Sequence, residues 1–128
     1  MKIKWIFQVI EKTCSGDVVW ATFSELRKAK QYLKENDFNE SDYFKILLYK
    51  VDSEEYKELR DTGYKDANGI EIYEGDLLFK GDKYPITIEF KDGYFKAINA
   101  DRKQGYRKIE DEDITSWRVL GDIYTSFS

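Results

Sequence analysis

The fifteen residues from Tyr64 to Leu78 constrain what this chain can fold into more tightly than any other segment. Asn68 and Gly69 make a turn pair, because both residue types tolerate the positive φ that tight turns demand. Ile70, Ile72 and Tyr73 follow as the start of an aliphatic strand, and Gly75 with Asp76 turns the chain again before Leu77. So many fixed backbone requirements in so short a stretch mark a structural unit rather than a reactive site.

The rhythm continues downstream. Short apolar runs are separated by Asn68-Gly69, Gly75-Asp76, Gly81-Asp82 and Asp92-Gly93. Turn signals at intervals of roughly six to eleven residues predict a small antiparallel barrel or sandwich. Asp92-Gly93, between Ile86–Phe90 and Tyr94–Ile98, is a tight-hairpin signal, since a two-residue loop needs positive φ at both positions. Thr87, Glu89 and Lys91 alternate with Ile86, Ile88 and Phe90, so one face is wet and the other is core. The chain closes with Trp117–Tyr124, a strand interrupted by Gly121.

Residues 1–56 read differently. Trp5, Phe7 and Val9 alternate with Ile6, Gln8 and Ile10 at the two-residue period of a strand. Residues 14–17 read as a hairpin turn and Val18–Ala21 as the return strand. Thr22 with Glu25 fits a capping box, and Ser24 is a rival cap. Phe23, Leu26, Ala29 and Leu33 follow helical spacing, with Arg27, Lys28, Lys30, Lys34 and Glu35 left to solvent. Phe44–Val51 is the strongest strand of this half. The order is β-β-α-β, an antiparallel sheet backed by one helix. Residues 52–62 read as a charged connector with a short helix, because Tyr56 and Leu59 lie three apart. The domain expectation is therefore 1–56 and 57–128.

Composition removes several function classes. A chain of 128 residues with 41% hydrophobic residues suffices for one domain or two very small lobes. Its net charge of −4 is neither that of a strongly basic nucleic-acid protein nor that of a DNA mimic. No apolar run reaches the ~20 residues of a membrane span and no basic-then-apolar leader is seen, so no membrane partner is expected. One cysteine, Cys14, gives no disulfide framework within a chain, and the expected compartment is a reducing cytoplasm.

Catalytic chemistry finds little material. Histidine is absent, which removes the commonest general base and metal ligand at neutral pH. Cys14 has no base beside it in sequence, and a thiol near its ordinary pKa of ~8.5 is mostly protonated. The segment from Asp66 to Glu71 fails as a calcium loop, which needs an oxygen ligand at Ile70 and glycine at Glu71. Glu71, Glu74, Asp76 and the acidic residues 110–113 read as solvated or turn carboxylates. The expectation is a non-enzyme without a cofactor or metal.

Binding chemistry is better represented, with ten Tyr, eight Phe and three Trp. Arg102, Lys103, Arg107 and Lys108 surround Tyr106, a pattern in which cations grip phosphate and a ring stacks on a base. Trp117 and Tyr124 join them as candidate binding residues. Trp5, Trp20 and Trp117 read as core anchors, and any one found exposed would become the leading interface anchor.

Three blocks also carry a resemblance: Thr62–Leu77, Glu89–Phe95 and Val119–Tyr124. Their order and spacing resemble the YopX family, small proteins of phages and prophages in Gram-positive bacteria, over about residues 60–128. Residues 1–56 show no obvious counterpart. The resemblance implies an SH3-like β-barrel, with Gly63, Asp66, Asn68, Gly69, Tyr73, Gly75, Asp76 and Gly121 as its scaffold motif and no catalytic residues. The expected fold is thus α+β, an antiparallel β-β-α-β lobe followed by a small antiparallel SH3-like barrel. The expected role is a phage accessory protein that binds a host or defence protein. The alternatives are a nucleic-acid-binding regulator using the 102–108 loop, an oligomeric small-nucleotide binder, and a structural homo-oligomer joined through open strand edges.

Overall fold

The computed structural model describes residues 4–38, 43–81, 83–99, 107–109 and 113–124. The chain divides into two compact units, Met1–Leu59 and Arg60–Ser128.

In the first unit, β1 (Trp5–Thr13), β2 (Gly16–Phe23), β3 (Phe44–Lys50) and β4 (Glu55–Leu59) form an antiparallel sheet in the order β2-β1-β3-β4. The helix α1 (Leu26–Glu35) lies between β2 and β3 in sequence. Phe7 pairs with Leu48 and with Phe23, and Val9 with Ile46 and Ala21, so these side chains share one face. The helix covers that face, since Tyr32 of α1 meets the Phe23 ring at 5.6 Å. Phe7, Val9, Ile46, Leu48 and Leu59 are buried, as are Leu26, Ala29 and Leu33 of the helix.

Several expectations for this half are corrected. Residues 55–59 form a fourth strand rather than a connector helix, because Tyr56 and Leu59 pair in register with Tyr49 and Ile46 of β3. Thr22 does not cap α1. It is held in the ladder opposite Gln8, and the helix begins after an extended Glu25 with no side-chain cap. Lys30 is buried rather than solvated. It stands four residues after Leu26 on the inward stripe, where a lysine can bury its stem while its head reaches outward.

In the second unit, β5 (Asp61–Lys65) and β6 (Glu71–Tyr73) form a two-stranded ladder. The strands β7 (Asp76–Phe79), β8 (Ile86–Lys91), β9 (Tyr94–Asn99), β10 (Arg107–Lys108) and β11 (Arg118–Asp122) form a sheet ordered β10-β9-β8-β7-β11. Among the described residues this sheet is an open antiparallel run with β10 and β11 at its edges. The β8–β9 hairpin turns on Asp92 (φ 56°) and Gly93 (φ 90°), the positive pair that a two-residue loop needs to match strand twist. Ile72, Leu78, Ile86, Ile88, Ala97, Ile109, Ile114 and Trp117 pack as one buried cluster, flanked by Tyr64, Phe95 and Val119.

Candidate interaction surface

The expected surface contacts and the observed surface differ, and burial is the reason. Trp117 is 2% exposed inside the second core and Tyr124 is also buried, so neither ring is available to a partner. Arg102, Lys103 and Tyr106 lie outside the described residues, and Arg107 is placed only as the backbone of β10. Lys108 is exposed, with its ammonium 5.1 Å from the Tyr94 ring centre. Lys96 approaches the same ring at 4.7 Å while bridging Asp92 at 3.2 Å.

The polar residues of the 60–78 segment are turned onto backbone. Asp66 is buried and its Oδ1 accepts hydrogen bonds from the N–H groups of Asn68 and Ile70, each at 2.8 Å. Its Oδ2 accepts from the Val119 N–H at 2.8 Å, and the Ala67 N–H donates to the Trp117 carbonyl at 2.8 Å. The turn is thereby tied to β11. Asp76 Oδ2 accepts from the Tyr73 N–H at 2.7 Å, and Glu74 Oε1 from the Arg60 N–H at 2.9 Å. Asp122 Oδ1 accepts from the Tyr124 N–H at 2.9 Å. Carboxylates spent on backbone donors in this way order turns and strand ends.

Gly75 sits at the centre of this arrangement. Its N–H donates to Ile88 and its carbonyl accepts from Ile123. Its φ is +90°, and a Cβ there would stand 2.5 Å from Tyr124 Cε2. The position therefore needs glycine on two counts, conformation and close approach. Burial raises the Tyr124 hydroxyl's pKa above its ordinary value, reinforced by Glu74, Asp122 and Asp76. The Tyr73 hydroxyl is raised by burial first, then by Asp61, Glu71 and Asp76. Asn68, Gly63 and Gly69 lie in the β5–β6 region, with both glycines at positive φ. Gly121 resumes the β7–β11 ladder after a bulge that leaves Leu120 out of register.

Trp20 is the residue that the sequence placed wrongly. It is 49% exposed, not a core anchor. The register explains why: Val9 pairs with Ala21 while Ile10 pairs with Val19, so Trp20 is the extra residue of a β-bulge in β2. A bulge breaks the two-residue alternation and re-aims the side chain it contains. Trp20 Nε1 donates to Glu11 Oε1 at 3.2 Å, which fixes the indole beside the strand end.

Around it runs a strip of half-buried rings. Trp20 meets Phe38 edge-on at 5.5 Å and Phe44 at 6.0 Å. Phe38 and Phe44 stack at 3.9 Å with 11° between their planes. Tyr32 reaches Phe38 at 6.2 Å and Phe23 at 5.6 Å. Phe44 pairs with Glu11, on the same side of β1 as Phe7 and Val9, so the strip lies on the helix side of the sheet. Its rim carries Glu25 bridged to Arg27 and Lys28, and Gln31 bonded to Glu35. An aromatic centre in a charged rim is the usual make-up of a protein-binding patch. No spacing rule reveals this strip, because its rings come from a bulge, a helix, the segment after it and the start of a strand.

A family model described as YopX protein matches residues 15–126. The match takes in most of the first unit and is not confined to residues 60–128, so the expectation that residues 1–56 stand outside the family is corrected. No curated protein matches the chain.

Proposed function

Because the chain belongs to the YopX family, a phage-associated family of uncertain function, we propose that it is a non-enzymatic accessory protein that acts by binding a host or defence protein. The observation that carries this reading is the exposed Trp20 within the ring strip of Tyr32, Phe38 and Phe44. Tryptophan and tyrosine at the centre of a patch supply most of the binding energy of typical interfaces, with charged rims excluding water. The second unit serves as the scaffold. We read it as an SH3-like barrel, supported by its consecutive antiparallel neighbours and the return of β11 alongside β7.

Affinity capture from host lysate with the whole chain, quantified against Trp20→Ala and Phe38→Ala, tests the binding reading. A specific partner should fall by about tenfold or more with Trp20→Ala, the loss expected for a central anchor worth at least ~1.4 kcal/mol. Equal capture by wild type and both variants refutes the assigned surface. Failure to capture any protein, together with salt-sensitive binding of short DNA at physiological ionic strength, would transfer the function to the basic 102–108 segment.

A further inference from the structure

The two edges of the first sheet are built differently. β4 presents Glu55, Lys57 and Glu58 among five residues, the charge pattern that protects an edge from adding strands. β2 is eight residues long and carries one charged residue, Asp17. Val18 (46% exposed), Val19 (51%) and Trp20 stand in a row on it. Among the described residues β2 pairs on one side only, with β1, so its other side offers main-chain donors and acceptors to a further strand. We propose that the occupant is β2 of a second copy, paired antiparallel about a two-fold axis at Val18 to give a continuous eight-stranded sheet.

The edge contains both halves of the pairs this register needs. Val18 faces Val18 of the second copy, Asp17 faces Val19, and Gly16 faces Trp20. No like charges meet, which matters because opposed charges of one sign destabilise a strand pair. Trp20 leans back over β1 onto Glu11 and Phe44, so the glycine opposite it meets bare main chain and no bulky pair clashes at that position. Symmetric pairing also closes on itself, whereas β2 against β4 would leave another free edge and propagate as a filament. The charges of β4 oppose that second route. The product sets two Trp20 strips on the same side of one sheet. The dimer does not rest on the proposed partner, and its test contains none.

Two short edges bury an area at the small end of specific interfaces, below about 1,200 Å² in total, so the dimer forms reversibly in the micromolar range. Sedimentation velocity of the full chain from about 1 to 200 µM is the experiment, with concentrations chosen to span that range. The mass should rise from 15.2 kDa towards twice that value as loading increases. Val18→Lys and Val19→Lys should each weaken association at least tenfold, and Tyr56→Lys on β4 should leave it unchanged. Circular dichroism confirms that each variant is folded. In the unmodified protein, amide exchange at Val18 and Val19 should slow with concentration, a readout that needs no variant. A monomer throughout the range overturns the proposal. So does a dimer indifferent to both β2 substitutions, or one dissolved equally by Tyr56→Lys.

Discussion

Asp66 offers the sharpest test of how the second unit is held together. Replacing it with asparagine preserves shape and removes the charge. The native carboxylate serves three backbone donors on two sides, Asn68 and Ile70 through Oδ1 and Val119 through Oδ2. Asparagine has one acceptor oxygen, so whichever way the amide turns, one side meets an NH₂ group. If the oxygen stays on the turn, the Val119 N–H loses its partner, a cost of about 1–3 kcal/mol. The remaining bonds lose their charge assistance, and such bonds are roughly twice as strong as neutral ones. The turn donors at exposed Asn68 and Ile70 can recruit water, which limits the loss there. The expected total is about 2–4 kcal/mol, the sum of an unsatisfied donor and weakened bonds. With a mid-range m-value of about 2 kcal/mol per molar urea, the unfolding midpoint of this unit should fall by roughly 1–2 M. Amide exchange locates the effect: Val119 should lose protection while Ile46, in the first unit, keeps it. An unchanged midpoint, or a Val119 amide as protected as before, would refute the claim that one carboxylate joins the turn to β11.

Three further outcomes follow from the same geometry. Gly75→Ala forces a residue with a side chain to φ +90° and drives its Cβ into the Tyr124 ring, so urea unfolding should show a loss of about 2–5 kcal/mol from strain and overpacking; Tyr124→Leu in that background should recover the steric part alone. Burial raises the Tyr73 and Tyr124 hydroxyl pKa values in the folded chain, so their contribution is intact below pH ~10 and is lost as pH rises through the folded values. Stability of the second unit should fall by up to about 1.4 kcal/mol per pH unit for each of them above pH ~10. Phenolate absorbance with Tyr73→Phe and Tyr124→Phe as controls checks this, and a slope unaltered by both substitutions would contradict it. Trp20→Ala, at a half-exposed site, should cost well under the ~3–5 kcal/mol of a buried tryptophan while lowering partner capture about tenfold or more; a loss in the buried range would mean that the ring is structural.

The sequence was most legible where backbone geometry is local. Asp92-Gly93 specifies its hairpin because few residue types accept positive φ at successive positions, and Ile86–Lys91 shows its wet and dry faces through simple alternation. The helix and the β1, β2 and β3 strands were readable from their periods for the same reason. β4 was misread because Tyr56 and Leu59 satisfy a helical spacing by coincidence, while the partner strand that decides the matter lies earlier in the chain.

Tyr64–Leu78 determined by itself that the second half would be built on tight turns, and its motif marked the family. Tertiary structure decided what those turns attach to: Val119 lies fifty-three residues after Asp66, and Tyr124 closes over Gly75. It also decided the surface. Ala21 and Phe23 point to the helix side, so alternation alone sets Trp20 on the opposite face, but one inserted residue in β2 brings it round to the helix side, half-exposed beside Phe38 and Phe44. A bulge is a mismatch between two strands, so neither strand's sequence contains it alone.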